Sequence, residues 1–154
     1  MPTTTTQTAS RIEKTTVIRA PQTRVWHALT DARQFAAWFG ITLDEPFAVG
    51  RSVEGQLTMR GQQFTIEFAV ERIDPEQYFA YRWHPYAIDP KVDYSTEPMT
   101  LVEFRLKSVP EGTELTVAES GFDRIPAHRR DEAYRMNDGG WKSQIEKLRS
   151  YVAS

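Results

Sequence analysis

The 154-residue sequence contains no cysteine, which excludes disulfides, thiolate zinc sites, iron–sulfur clusters and cysteine nucleophiles. It also lacks a strong excess of either charge. The 19 Lys and Arg residues against 21 Asp and Glu residues leave a net charge of −2, so nothing draws the whole chain to nucleic acid or to an anionic membrane. No apolar run approaches the roughly 20 residues that a membrane-spanning helix needs, and the Thr-rich start has no apolar stretch typical of a signal peptide. These absences favour a cytoplasmic protein that neither inserts into membranes nor binds nucleic acid.

Aromatic residues are the abundant feature of the composition: 4 Trp, 6 Tyr and 8 Phe make up 12% of the chain. Each brings a large apolar area that a domain of this length can bury in one core. The length suits a single domain. Because residues 1–10 hold four consecutive Thr and no core residue, we expect them to form a disordered tail and residues 11–154 to form the domain.

Hydrophobic periodicity changes twice along the domain. A β-branched segment, residues 12–19, predicts a strand. Pro21 then begins two short helices, the second capped by Asp31 and ended by Gly40. Alternation of apolar and polar residues, with short turns between segments, predicts antiparallel strands over 51–59, 62–73, 77–84, 99–109 and 113–120. From about Pro126 the period is helical again, and one helix face carries Trp141, Ile145, Leu148 and Val152.

A sheet that is apolar on one face must cover that face, and the last helix is the only long apolar helix available. The expected fold is therefore α+β: a curved antiparallel sheet of about six strands wrapped around a long C-terminal helix, with two short helices after the first strand. The aromatic inner face would lie opposite Gly139 and Gly140, which cost the helix about 1 kcal/mol each relative to alanine. The pair predicts close approach of another group, and the interior there is either a filled core or a cavity.

Four motifs, in order along the chain, resemble those of one known family. They are residues 25–31 (VWHALTD) with Trp38, residues 74–83 (DPEQYFAYRW), residues 119–122 (ESGF) and residues 140–151 (GWKSQIEKLRSY). On these motifs the chain resembles the heat-shock-ATPase-activator-homologue-like (AHSA-type) group of the START/SRPBCC superfamily, which has the birch-pollen-allergen (helix-grip) fold. The resemblance covers nearly the whole chain after the tail. It implies a sheet that grips the C-terminal helix around an internal, largely apolar cavity.

Functions within this superfamily include lipid and polyketide binding, cyclase chemistry and co-chaperone work, so the resemblance implies the fold more narrowly than the function. Together with the aromatic inner face, it favours binding of a small apolar or aromatic molecule between sheet and helix, without a cofactor, by a monomer or homodimer. The alternatives are a cyclase- or hydratase-like enzyme that uses the same cavity and an interaction module that stimulates a chaperone ATPase. The residues expected to contact the ligand are Trp38, Phe64, Phe68, Phe79, Tyr81, Trp83, Phe104, Glu119, Gly140 and Trp141.

Glu119 and Tyr81 are the candidate catalytic residues for the enzymatic alternative. Alternation from Leu115 and Val117 places Glu119 on the inner face, where burial would raise the pKa of the carboxyl and let it act as an acid or orient a ligand hydroxyl. Alternatively, Glu119 reaches solvent at the strand end or pairs with an arginine. Tyr81 either offers a ligand one hydrogen bond or packs in the core.

The remaining polar residues indicate no further chemistry. Alternation sends His84 outward, and the three histidines lack the spacing of a metal site, so no metal is expected. Ser120 has no visible triad partners. Residues 85–98 form a long segment with three prolines, which is either a lid over the cavity mouth or an ordinary loop or dimer contact. A solvated helix face is expected for the arginines near the start of the last helix, which are interspersed with acids: Arg124, Arg129, Arg130 and Arg135.

Overall fold

The computed structural model describes residues 10–59 and 61–153, and within them one seven-stranded antiparallel sheet is combined with three α-helices. In chain order the elements are β1 (Arg11–Ile18), α1 (Gln22–Thr30), α2 (Ala32–Phe39), β2 (Thr42–Leu43), β3 (Ser52–Met59), β4 (Gln62–Asp74), β5 (Tyr78–Trp83), β6 (Thr100–Val109), β7 (Gly112–Ser120) and α3 (Ala127–Ala153), with a 3₁₀ turn (Phe122–Arg124) before α3. The expected α+β architecture is confirmed. The strand beyond the expected six is β2, which has only two residues.

The strands lie in the order β1-β7-β6-β5-β4-β3-β2, so each strand from β2 to β7 neighbours the next one along the chain and β1 closes onto β7. This is the meander expected for alternating segments joined by short turns. The expected tail, residues 1–10, lies outside the described residues apart from Ser10. In the described part of the chain, no helix is both long and apolar enough to cross a membrane.

The two short helices form as their end residues predict. The Asp31 carboxylate accepts a hydrogen bond from the Arg33 amide nitrogen at 3.0 Å, which satisfies one of the free N–H groups at the start of α2. Gly40 ends α2 in the left-handed region, with φ of 90°. Both helices place their apolar faces in the core, where the Phe35 ring contacts the Phe68 and Tyr81 rings.

The strands β4 and β5 differ in length, and this difference shapes the interior. β4 has 13 residues and β5 has 6. Pairing between them starts at Ala69 opposite Arg82, so residues 62–68 of β4 extend past the end of β5 and pair only with β3. The chain between β5 and β6, residues 84–99, folds as a loop beside this extension. The sheet is therefore incomplete at this end, on the side that faces α2 and α3.

The described residues show no group in close contact with the glycine pair in α3, contrary to our expectation. A Cβ atom built on Gly139 or Gly140 would meet no atom within 4 Å, the helix's own nearby backbone aside. Gly139 is exposed, and Gly140 borders a small pocket between α3 and the sheet. The prediction of close contact is wrong because Gly139 lies on the exposed side of α3, beside a groove between α2 and α3, and Gly140 borders the open space of the small pocket.

Candidate functional site

A cavity of about 430 Å³ opens where β4 extends past β5. The β3–β4 hairpin forms one wall, residues 84–95 form another, and α2 and α3 contribute one residue each, Phe39 and Asn137. Five aromatic side chains line it: Phe39, Phe64, Trp83, Tyr86 and Tyr94. Its volume lies within the range of ordinary small-molecule sites, and its lining combines many apolar groups with a few polar ones, as such sites do.

A second pocket of about 150 Å³ lies next to the first one, along the seam between the sheet and α3. The two share Phe39, Trp83 and Asn137, and the second adds Gly140, Trp141 and Gln144. The missing side chain at Gly140 helps to leave this pocket open. Open volume is therefore present between the sheet and the C-terminal helix.

Behind the wall shared by these two spaces lies Glu119, whose side chain is completely buried. Four side chains donate hydrogen bonds to its carboxylate. Oε2 accepts from Trp83 Nε1 at 2.8 Å and from Thr100 Oγ1 at 2.6 Å. Oε1 accepts from Trp141 Nε1 at 2.8 Å, and Asn137 Nδ2 lies 3.0 Å from Oε1 and 3.1 Å from Oε2. Of the two geometries that the sequence left open, the inward one is present, and no arginine in the described part of the chain pairs with Glu119.

Strand register and helix periodicity explain why these donors meet. Glu119 is paired with Val102, so Thr100 lies diagonally across on the same face of the sheet, and Trp83 is paired with Thr100. Asn137 and Trp141 are four residues apart in α3 and therefore share one helix face. The Trp83 and Trp141 indoles stack, with ring centroids 5.7 Å apart and planes at 27°, while both donate to the same carboxylate.

Burial raises the pKa of the Glu119 carboxyl, and the hydrogen bonds from Thr100, Trp83, Trp141 and Asn137 lower it in part. The raised pKa agrees with the expectation for an inward carboxyl group. The donors surround both oxygens, however, and Glu119 does not belong to the lining of either space. Glu119 instead accepts hydrogen bonds from Trp83 and Asn137, and these two residues line both the cavity and the smaller pocket.

The segment between β5 and β6 forms a wall of the cavity and is tied to the start of α3 by Arg129. The Arg129 guanidinium donates to Glu97 Oε1 from Nε at 2.9 Å and from Nη2 at 2.7 Å, and to the Pro85 carbonyl from Nη1 at 2.8 Å. It also lies 4.7 Å from the centre of the Tyr94 ring. The side chains of Arg129 and Glu97 are only 11% and 13% exposed. The expectation of a solvated face is thus wrong for Arg129, because the loop packs over it.

His84 also differs from the expectation. It lies one residue beyond the end of β5, so strand alternation no longer determines its direction, and it lines the cavity instead of pointing away from it. Its Nδ1 is buried and has no hydrogen-bond partner among the described residues. Burial is the main cause that lowers the pKa of His84, and the positive charge of Arg129 lowers it further. The negative charges of Glu67, Glu97 and Asp93 act in the opposite direction. Burial therefore favours the neutral form of the imidazole.

The ten residues predicted to contact a ligand fall into five places. Phe64 and Trp83 line the cavity, and Trp83, Gly140 and Trp141 line the smaller pocket. Glu119 lies behind them. Trp38 donates to the Ala28 carbonyl at 2.7 Å and borders a shallow groove on the outer surface between α2 and α3. The other four pack against one another in the core, outside the lining of the cavity and the pocket: Phe68, Phe79, Tyr81 and Phe104.

Several residues of the site escaped the sequence analysis. Thr100 and Asn137 gave no signal as partners of Glu119, since their placement depends on strand register and helix packing. Gln144 also went unnoticed; its Nε2 donates to the Phe39 carbonyl at 3.2 Å, and its Oε1 is buried without a partner in the described chain. Only the loop could have been recognised from the sequence as part of the site, because Tyr86 and Tyr94 are unusual in an otherwise Pro-rich segment. Groups of three or more metal-binding side chains are absent from residues 10–59 and 61–153.

Comparison with known proteins agrees with this architecture. The family described as "Activator of Hsp90 ATPase homolog 1-like protein" matches residues 19–153. The chain belongs to this family. No curated protein sequence gives a significant match.

Solved structures are similar in fold at low sequence identity. Protein MLL2253 from Mesorhizobium loti is 24% identical, with a TM-score of 0.73 over 93% of this chain and 96% of that one. A protein from Arthrobacter aurescens is 16% identical, with a TM-score of 0.77 over 94% and 87%. DynU16, from the dynemicin biosynthetic locus, is 23% identical, with a TM-score of 0.72 over 94% of this chain and 48% of that one. These similarities confirm the helix-grip fold.

Proposed function

We propose that this protein binds a small hydrophobic or aromatic molecule in the cavity between the sheet, the 84–99 loop and the C-terminal helix. The observation that carries the proposal is the cavity of about 430 Å³ with its five aromatic side chains. Interiors normally pack without voids of this size. A space lined in this way gives an apolar guest a large area to bury, at about 25 cal/mol per Å² of apolar surface.

Unpartnered polar atoms support the same proposal. The described residues contain three buried side-chain atoms without a hydrogen-bond partner: Tyr81 Oη, His84 Nδ1 and Gln144 Oε1. His84 lines the cavity and Gln144 lines the adjoining pocket. Buried polar atoms are nearly always paired, so two unpaired atoms beside an open space are suited to a ligand or to ordered water.

The proposal is tested by titrating the protein with N-phenyl-1-naphthylamine, an uncharged aromatic probe whose fluorescence rises in an apolar environment. We expect saturable binding to wild type. The variant Ala87→Trp, which adds an indole to the loop wall of the cavity, should weaken binding at least tenfold. The matched control Ala37→Trp adds the same side chain on the exposed face of α2, beside the outer groove, and should leave the affinity unchanged.

Two outcomes would contradict the proposal. One is the absence of saturable binding by this probe and by a thermal-shift panel of lipids and aromatic metabolites. The other is binding that survives Ala87→Trp and is lost in Ala37→Trp, which would move the site to the outer groove. Far-UV circular dichroism of both variants shows whether each one is folded.

The enzymatic alternative has less support. It requires Glu119 and Tyr81 to reach one substrate, yet neither residue belongs to the lining of the cavity or of the pocket. Four donors already occupy the Glu119 carboxylate. For the chaperone-related alternative, the family description is the only support, and no contact among the described residues favours it.

A further inference from the structure

The charged side chains in the described lining of the cavity have one sign. They are Glu54 and Glu67, and the described part of the lining contains no Lys or Arg. These two glutamates lie directly opposite each other in the β3–β4 register. Both are exposed, and strand alternation places them on the face opposite Phe64, so they lie at the solvent-facing rim of the cavity. Like charges at opposed positions destabilise a sheet. Neither carboxylate forms an ion pair with another described residue, so their repulsion is not offset within this part of the fold.

The neighbouring groups do not supply the missing positive charge. His84 lies close enough to Glu67 for that carboxylate to influence its titration, but burial lowers the pKa of the imidazole and so disfavours a positive charge there. Asp93 also acts on the titration of His84 and is acidic as well. Arg129 is the nearby cation, and its guanidinium is already bound to the Glu97 carboxylate.

Hydrogen-bond donors in the wall are also largely committed. The Trp83 indole and the Asn137 amide nitrogen donate to Glu119, and the Thr65 hydroxyl lies 3.0 Å from Gln56 Oε1. The hydroxyls of Tyr86, Tyr94 and Ser95 can donate or accept a hydrogen bond, so they favour neither a cationic nor an anionic ligand. The free groups are therefore mainly acceptors: two carboxylates at the cavity and the unpartnered Gln144 Oε1 in the adjoining pocket, with the His84 imidazole able to donate or accept.

Aromatic rings together with carboxylates that lack an ion-pair partner are the chemistry that recognises an organic ammonium ion. Of the five rings, Tyr94 already has the Arg129 guanidinium 4.7 Å from its centre, which leaves four. The face of an aromatic ring carries negative charge density and attracts a cation placed within about 6 Å of the ring centre. A carboxylate adds direct attraction. The same surroundings repel a carboxylate ligand, because it would meet two like charges and few available donors.

We propose that the cavity selects organic cations, in the form of an ammonium group carried on an apolar or aromatic body, over neutral and anionic molecules of the same shape. This inference rests on the proposed binding function and assigns its ligand class. Cation–π attraction alone corresponds to a gain of about 3- to 30-fold in affinity over a neutral analogue, depending on how far the ammonium is desolvated.

Three probes with one ring system test the inference: 1-naphthylmethylammonium, 1-naphthylmethanol and 1-naphthoate, each titrated calorimetrically at pH 7. We expect the ammonium to bind about tenfold more tightly than the alcohol, and the naphthoate to bind most weakly. Raising the salt concentration should weaken ammonium binding and leave alcohol binding unchanged, because only the first depends on charges that salt screens.

Glu67→Gln should raise the Kd of the ammonium about 3- to 10-fold while leaving that of the alcohol unchanged, which also shows that the cavity is intact. Glu132→Gln removes one exposed carboxylate elsewhere, on α3, and should change neither Kd. If the alcohol or the naphthoate binds as tightly as the ammonium, the inference is wrong and the binding function stands. If none of the three binds, both fail.

Discussion

Replacing Glu119 with glutamine is the sharpest test of the hydrogen-bond network behind the cavity. The substitution keeps the shape of the side chain but exchanges one acceptor oxygen for an NH₂ donor. In the native network, every partner of the carboxylate donates: Trp83 and Thr100 to Oε2, Trp141 to Oε1, and Asn137 to both. Either orientation of the new amide therefore points a donor at a donor.

The two orientations lead to the same deficit. If the amide nitrogen takes the place of Oε2, the Thr100 hydroxyl can rotate to accept, but the Trp83 indole N–H cannot, since it only donates. If the nitrogen takes the place of Oε1, Asn137 can turn its carbonyl toward it, and the Trp141 indole is left unpaired. One buried N–H without an acceptor costs about 1–3 kcal/mol. Removing a buried charge offsets part of this cost.

We therefore expect Glu119→Gln to lower the free energy of unfolding by about 2 kcal/mol, which corresponds to a drop in Tm of about 4–8 °C for a domain of this size. Urea denaturation followed by far-UV circular dichroism measures the free energy, and the indole N–H resonances of Trp83 and Trp141 report the local change. Tyr81→Phe is the matched core control. It removes a buried hydroxyl that has no partner, so it should cost nothing or add up to about 1 kcal/mol. A Glu119→Gln variant within 0.5 kcal/mol of wild type, with unshifted indole signals, would refute this account of the network.

Further predictions follow from single contacts. Because the pKa of Glu119 is raised in the folded state, the folded protein keeps this proton at a pH where the unfolded chain has lost it. The free energy of unfolding of wild type, relative to that of Glu119→Gln, should therefore rise as pH falls from above the folded pKa to the ordinary value of 4.5. A difference that does not change with pH in urea titrations would contradict this. Gly139→Ala should add about 1 kcal/mol and 2–4 °C in Tm, since its Cβ meets no atom within 4 Å; a lower Tm in a thermal scan would show a hidden clash. Arg129→Met should cost about 2 kcal/mol and speed amide exchange across residues 85–98, because Glu97 loses its partner; unchanged protection in the loop would show that other contacts hold it.

Most of the fold could be predicted because its signals are local. Asp31 and Gly40 act within their own helix ends, and the alternation of β4 to β7 places apolar residues on one face whatever their partners are. The two-residue strand β2 could not be predicted, since it exists only through its pairing with Gly55 and Gln56. The prediction from the glycines in α3 was wrong for a related reason. Their cost to helix stability depends only on the local sequence, but the groups that lie opposite them depend on how the helix packs.

The site could be predicted only in part. Alternation from Leu115 and Val117 was enough to bring Glu119 inward, but not to find its donors. These come from three other elements, and the two from the sheet, Trp83 and Thr100, are brought together by the pairing of β5, β6 and β7. His84 was assigned the wrong direction because alternation was extended one residue past the last paired residue of β5. A periodic rule holds only as far as the hydrogen-bonded ladder that enforces it.

The position of the cavity follows from the end of one strand more than from residue type. Phe79 and Phe104 belong to the same aromatic inner face as Phe64, yet they pack solidly because β4, β5 and β6 run side by side there. Beyond Trp83 the ladder cannot continue, since Pro85 has no N–H to donate and Tyr86 has a φ of 50°, in the left-handed region. The β4 extension then lacks a neighbouring strand on that side. Its Phe64 ring lines the open space, whereas the Phe68 ring is covered by the rings of Phe35 and Phe39 from α2.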